Sequence, residues 1–225
     1  HPPLRQKPWL LEPLALSKFC ATFIEQQVGG NLTEASFALR LPTLLPYNGV
    51  LFLGNSLLVR LVDALTQLPE SYPVYTNRGA SGIDGLLATA AGIGIGSNKP
   101  VVAVIGDTST LYDLNSFALF KNVTQPTVIF VINNNGGAIF DMLPVDEQVK
   151  DQFYRLPHNG DFSHIAAMFD LKYAHPYTWA DLNSVVKQAY SRRKATLIEI
   201  KTNPSDGSSL YKRLIEQISH AVIGA

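Results

Sequence analysis

Val101-Val102-Ala103-Val104-Ile105-Gly106-Asp107 and Val128-Ile129-Phe130-Val131-Ile132-Asn133-Asn134-Asn135 are two runs of apolar β-formers that each end abruptly in polar residues. Runs this short and this uniformly apolar read as adjacent strands of a parallel sheet buried on both faces, since an antiparallel strand with one wet face would alternate. The stretch between them has room for a helical crossover, so the pair reads as a βαβ unit. A carboxylate and a carboxamide then emerge side by side at the carboxyl ends of two strands, the edge where open α/β sheets bind ligands. Both offer hard oxygen atoms, which suit Mg²⁺ held against a diphosphate. A helix opening near Thr108 would turn its positive end toward the same anion, and Gly136-Gly137 would let the backbone approach it closely. The plainer reading is that Asp107 caps the helix and that Asn133 to Asn135 form a turn, jobs both residue types favour.

Outward from this unit the same alternation continues. Strands are expected over Val50 to Leu53, 73–76, 101–105, 128–132, 171–174 and 196–200, with helical patterns over 17–27, 33–41, 57–67, 83–95, 114–123, 162–169, 180–192 and 208–222. This predicts an α/β fold, a mainly parallel six-stranded sheet with helices on both faces. Prolines at positions 2, 3, 8 and 13 make residues 1–16 read as a linker from upstream sequence, leaving 17–225 as the domain. The segment 143–160 mixes Pro144, Pro157, Asn159 and Gly160 with many charges; it is long for a connection and reads as a mobile cover over the site.

Composition narrows the partners. Lys plus Arg and Asp plus Glu are 18 each, a formal charge of zero, so no basic field recommends nucleic acid. No apolar run approaches a membrane span and the start resembles no signal peptide, so a cytoplasmic setting is expected; a chain that opens on His1 reads as part of a longer protein. Cys20 is the single cysteine and reads as a packing residue. Hydrophobic residues make up 46% of the chain against 16% charged, which hints at a subunit interface. Gly92-Ile93-Gly94-Ile95-Gly96 mimics a dinucleotide loop, but it closes a helix and follows no strand. His158, His164 and His175 lack zinc spacing, and Gly79 to Gly82 lacks the spacing of a nucleophile elbow.

Gly106-Asp107 followed by Asn133-Asn134 resembles the motif of the thiamine-diphosphate enzymes, with Thr108 standing where that family often has a third glycine. Gly54-Asn55-Ser56, Asn77-Arg78-Gly79-Ala80-Ser81-Gly82-Ile83-Asp84-Gly85, Tyr112-Asp113-Leu114-Asn115 and Asn133 to Phe140 are similar to the menaquinone-biosynthesis branch of that family, from about Gly49 onward. The resemblance implies the C-terminal part of a transferase that decarboxylates 2-oxoglutarate and adds the succinyl unit to isochorismate, with thiamine diphosphate and Mg²⁺, or Mn²⁺ in its place. It implies Mg²⁺ on Asp107, Asn134 and the Gly136 carbonyl. Cofactor contacts fall on Gly54, Asn55, Ser56, Ser81, Gly82, Ile83, Gly106, Asp107, Thr108, Ser109, Asn134, Gly136, Gly137, Ala138 and Ile139, with Ile83 pressed on the aminopyrimidine. Substrate contacts fall on Ser56, Arg60 and Arg78 for carboxylates, and on Ile139, Phe140 and Leu143 as an apolar wall.

Ser56 and Arg60, four apart, share a helical face, and Arg78 follows the next strand, so a fork for carboxylates is plausible chemistry. A cap at Ser56, solvated arginines, and simple core roles for Ile83, Ile139, Phe140 and Leu143 stay open. The glutamate that activates the cofactor is expected on a separate pyrimidine-binding domain, across a homodimer interface, so no catalytic residue is expected in this chain and it is expected to be inactive alone. Two other readings remain: another 2-oxoacid decarboxylase or carboligase of the family, and a non-catalytic module of the same fold.

Overall fold

The computed structural model describes residues 11–223. In chain order its elements are α1 (Leu11–Val28), α2 (Glu34–Arg40), β1 (Val50–Leu53), α3 (Leu57–Leu65), β2 (Val74–Thr76), α4 (Leu86–Ser97), β3 (Val101–Gly106), α5 (Asp107–Tyr112), β4 (Thr127–Asn133), α6 (Glu147–Lys150), α7 (Phe162–Met168), β5 (Lys172–Ala174), α8 (Trp179–Tyr190), β6 (Ala195–Lys201) and α9 (Asp206–Ile223). All six strands pair in parallel, in the order β2-β1-β3-β4-β6-β5. Each lies within a residue of its expected bounds at either end. The inner strands run four to seven residues, and the two margins, β2 and β5, only three each.

Burial on both faces explains the uniform apolar runs. Val102 and Val104 of β3 point into one core layer with Phe37, Leu61, Phe130 and Ile198. Ala103 and Ile105 point into the other with Phe52, Leu86, Phe117, Ile129 and Leu197. The first layer is closed by α2, α3, α8 and α9, and the second by α4, α7 and the 3₁₀ segment Leu114–Asn122. The glycine run 92–96 belongs to α4, where a Cβ on Gly94 would come 2.9 Å from Val123 Cγ1; close packing is what that glycine serves.

The helices depart from expectation in four places. Helix α1 begins at Leu11, inside the stretch read as a linker, and takes Pro13 in its first turn, where a missing N–H costs no bond; residues 1–10 of that stretch lie outside the described residues. The pattern over 83–95 starts helically only at Leu86, because Gly85 adopts φ +72° as its cap, so Ile83 sits in the preceding turn and not at a helix start. The crossover after β3 is split. Asp113 accepts from the Ala88 N–H at 3.0 Å and from Ser116 Oγ at 2.5 Å, ending α5 and opening the 3₁₀ segment. Finally, 143–160 is no structureless cover: it holds α6 and a π turn at Asp151–Arg155.

The order of strands places the site. From β1 the chain moves to β2 on one side and then to β3 on the other, so the connections diverge between β1 and β3 and leave a crevice beyond their carboxyl ends. Gly54-Asn55-Ser56 and Gly106-Asp107 border it, and β4 delivers Asn133 to Gly136 beside Asp107.

Candidate functional site

Asp107 is 2% exposed and opens α5. Its Oδ1 accepts from the Thr108 N–H at 2.6 Å and its Oδ2 from the Gly136 N–H at 3.0 Å, so one carboxylate ties the β3 and β4 strand ends together. Gly106, not Asp107, holds the cap position and makes no side-chain cap bond. His158 Nε2 stands 3.2 Å from the same Oδ2, brought over by the 143–160 segment.

Asn134, at 7% exposure, donates from Nδ2 to Glu34 Oε2 at 3.3 Å, while its Oδ1 is buried with no hydrogen-bond partner. A buried amide oxygen without a donor calls for an explanation. Gly136 adopts φ +135°, and a Cβ there would fall 2.1 Å from the Arg155 carbonyl oxygen, so the glycine is required by the returning segment. Gly137 N–H donates to that carbonyl at 2.7 Å, and the Gly136 carbonyl accepts from the Ala138 N–H at 3.1 Å. Thr108 is half-buried, and Ser109 and Ala138 are buried behind the crevice.

On the β1 side Asn55 is a hub. Its Nδ2 donates to the Gly82 carbonyl at 2.6 Å and the Asn77 carbonyl at 3.3 Å, and its Oδ1 accepts from Arg78 Nη1 at 3.1 Å. Gly54 N–H donates to the Val104 carbonyl at 2.8 Å, closing β1 onto β3. Ser56 takes φ +81° at the start of α3 and makes no cap bond with its side chain, which removes the plain capping role. Arg60 Nη1 donates to the Ser56 carbonyl at 2.7 Å. Ser81 and Gly82 are exposed, with Ser81 Oγ donating to the Arg78 carbonyl at 3.1 Å, and Ile83 is half-buried. Among the described residues neither Arg60 nor Arg78 has a carboxylate within ion-pair distance.

The apolar wall divides. Ile139 packs against the core, Phe140 lies against Tyr154 with ring centroids 5.2 Å apart, and Leu143 is 39% exposed.

Several residues here had no signal in the sequence. Glu34, on α2, lies one hundred positions from Asn134 and is 2% exposed; burial, with Asp107 and Asp206 nearby, pushes its carboxyl up to about 7 despite the Asn134 bond. Glu199, fully buried on β6, accepts from Asn133 Nδ2 at 2.6 Å and Tyr173 Oη at 2.5 Å, and Asn133 Oδ1 in turn takes the Asn135 N–H at 3.0 Å. Arg155 gathers Asp141, Glu147 and Asp151 and so fastens the returning segment; Asn135 and Asn159 bond reciprocally beside it, at 3.0 and 2.8 Å. Histidine spacing in the sequence carries no sign of the carboxylate that His158 approaches.

Residues 62–200 match the family described as "Thiamine pyrophosphate enzyme, C-terminal TPP binding domain". The chain belongs to the thiamine pyrophosphate enzymes. Residues 1–53 match a second description, "Middle domain of thiamine pyrophosphate". Over all 225 residues the chain is 99% identical to the 2-succinyl-5-enolpyruvyl-6-hydroxy-3-cyclohexene-1-carboxylate synthase of Haemophilus influenzae, and 78% identical to the synthase of that name from Mannheimia succiniciproducens. It spans 40% of the length of each. Among solved structures, benzoylformate decarboxylase from Polynucleobacter necessarius superposes with a TM-score of 0.64 at 19% identity, over 76% of this chain and 33% of that one. A thiamine-diphosphate-dependent 4-hydroxybenzoylformate decarboxylase from Rhodococcus jostii gives 0.64 at 21%, over 78% and 33%. At such identity these two speak for the fold.

The crevice fits what a thiamine pyrophosphate enzyme binds. One buried carboxylate and one unpartnered amide oxygen are hard donors at neighbouring strand ends, and such a pair would suit a divalent cation. Among the described residues no three His, Cys, Asp or Glu side chains are grouped to hold a metal. No helix among the described residues is long and apolar enough to cross a membrane.

Proposed function

We propose that this chain is the diphosphate- and Mg²⁺-binding part of a cytoplasmic homo-oligomeric synthase that decarboxylates 2-oxoglutarate, adds the succinyl unit to isochorismate and releases CO₂. The observation that carries the cofactor half of this reading is the pairing of buried Asp107 with an unpartnered Asn134 Oδ1 at the β3 and β4 ends. The likeness to the Haemophilus influenzae synthase over every residue supports the choice of substrates.

Thiamine diphosphate, when bound, supplies an electron sink for decarboxylation and carbon–carbon bond formation. The chain's residues do the rest of the work on this side. Asp107, Asn134 Oδ1 and the Gly136 carbonyl hold the cation. Gly54, Asn55 and Ser56, Ser81, Gly82 and Ile83, Gly106, Thr108 and Ser109, and Gly137, Ala138 and Ile139 line the cofactor. Ile83 presses on the aminopyrimidine. Arg60 and Arg78, bonded only to neutral oxygens, receive substrate carboxylates beside Ser56, and a charge-assisted bond to an anion exceeds the neutral one it replaces. Ile139, Phe140 and Leu143 keep the substrate's carbon skeleton from water.

The diphosphate-binding unit is taken as residues 17–225. Phe37 of α2 lies edge-on to Phe130 of β4, ring centroids 5.0 Å apart, and supports counting the α2 region with the sheet. The activating glutamate is assigned to a pyrimidine-binding domain across a homodimer interface, which makes this chain inactive by itself.

The test is calorimetry of thiamine diphosphate with the full-length protein, with and without Mg²⁺, followed by turnover of 2-oxoglutarate with isochorismate against pyruvate or benzaldehyde. Metal-dependent binding and a requirement for isochorismate are expected. Binding with preference for a neutral acceptor would move the chain to another carboligase of the family, and absence of binding would make it a non-catalytic module.

A further inference from the structure

Glu34 is a costly side chain to place where it is. It opens α2 at 2% exposure, with Asp107 and Asp206 among its neighbours and no cationic partner among the described residues. Gly207 lies against the carboxyl: a Cβ there would come 2.7 Å from Oε2. A buried acidic group with acidic neighbours opposes folding, and its one bond to another side chain goes to Asn134.

That bond has a direction. A carboxamide carries a donor on one side and an acceptor on the other, and the two differ only by a half-turn of the terminal torsion. In its ionised form Glu34 can only accept, and its Oε2 takes the Asn134 Nδ2 side at 3.3 Å. The oxygen is thereby left facing away from Glu34, and it is this Oδ1 that is buried without a partner. Turned the other way, the amide would offer N–H donors to the cation and repel it. We propose that Glu34 is a positioning residue for the metal site: it fixes the Asn134 amide so that Oδ1 is the atom presented to the cation. Outer partners of metal ligands act in this way by locking the ligand's orientation. The inference rests on the assignment of Asn134 as a ligand.

The test is a Mg²⁺ titration of the full-length protein at saturating thiamine diphosphate, read by calorimetry, in wild type, Glu34→Gln, Asn134→Asp and the double variant. Glu34→Gln keeps the shape but brings an amide donor that can capture Oδ1, and is expected to weaken Mg²⁺ about 10–100-fold. Asn134→Asp alone sets two carboxyl groups against each other and is expected to weaken it too. The double variant is expected to recover most of the affinity, since a carboxylate at 134 accepts from the new amide with one oxygen and keeps the other for the cation. Recovery by the reciprocal exchange is an outcome that a merely structural role for Glu34 does not produce. Should Glu34→Gln fail to fold, Glu34→Asp retains an accepting carboxylate on a shorter arm and is expected to weaken the metal less than complete loss of the acceptor. Unchanged Mg²⁺ affinity in Glu34→Gln or Glu34→Asp, or a double variant no tighter than the weaker single, would overturn the proposal. Wild-type protein that binds cofactor without regard to Mg²⁺ would instead overturn the ligand assignment beneath it.

Discussion

The loop that follows β4 and those that follow β1 and β2 leave the same edge of one sheet, yet they are held in opposite ways. Every residue from Asn133 to Gly137 is fastened from elsewhere: Asn133 by Glu199 of β6, Asn134 by Glu34 of α2, Asn135 by Asn159, Gly136 by Asp107, and Gly137 by the Arg155 carbonyl. Across the crevice Asn55 organises its own neighbourhood, but Arg78 and residues 79–82 are exposed, and both guanidiniums find only neutral oxygens. On the proposed reading the first loop is set in advance for its ligand, and the second side holds guanidiniums for an anionic substrate. Preorganisation lowers the cost of ordering on binding, and it is worth most where a small cation demands fixed geometry.

Asp107→Ala is the change expected to damage the fastened side most. It removes the charged ligand proposed for the cation and frees the Gly136 N–H, so Mg²⁺-dependent binding of thiamine diphosphate by the full-length protein should be abolished in calorimetry. Retained metal-dependent affinity would mean that the two sides are not divided as described. Next is Gly136→Ala, where a methyl group would meet the Arg155 carbonyl in a backbone region that L-residues avoid; a loss of about 4 kcal/mol in denaturant unfolding is expected. A loss below about 1 kcal/mol would show this loop to be slack. Smallest in its effect on the fold is Arg78→Ala on the open side, which should change unfolding by less than about 0.5 kcal/mol. Its KM for the carboxylate substrate should rise roughly thirtyfold, as loss of about 2 kcal/mol in a charged hydrogen bond implies. An unfolding midpoint that falls while KM stays put would reverse the contrast for that residue.

Strands were the most legible part of the chain, because β3 and β4 are buried on both faces and so carry long apolar runs that need no partner to be recognised. Asp107 and Asn134 stood out as candidates for a related reason: each is a polar residue that ends an apolar run yet stays buried. Helix starts were less so. Gly85 and Asp113 decide where α4 begins and where α5 stops, through a positive φ and a bond to the Ala88 N–H, and neither leaves a trace in hydrophobic spacing. Glu34, Glu199 and Arg155 were invisible as site residues because their importance lies in partners brought close only by the sheet order. The 143–160 segment looked loose for the same reason. Its charges are spent on one another and on Arg155, a pairing that composition registers only as polarity.

The unequal strand lengths bear on how this sheet behaves in a crowded solution. Its outermost strands are the ones that expose unpaired backbone N–H and C=O groups, and such rows can template the addition of strands from neighbouring chains. Here each outer strand is three residues long, while the long, apolar β3 and β4 are enclosed, with β6 between β4 and β5. The sequences best suited to cross-β stacking are therefore the ones the strand order keeps furthest from view, so aggregation should begin only after the margins have been stripped away.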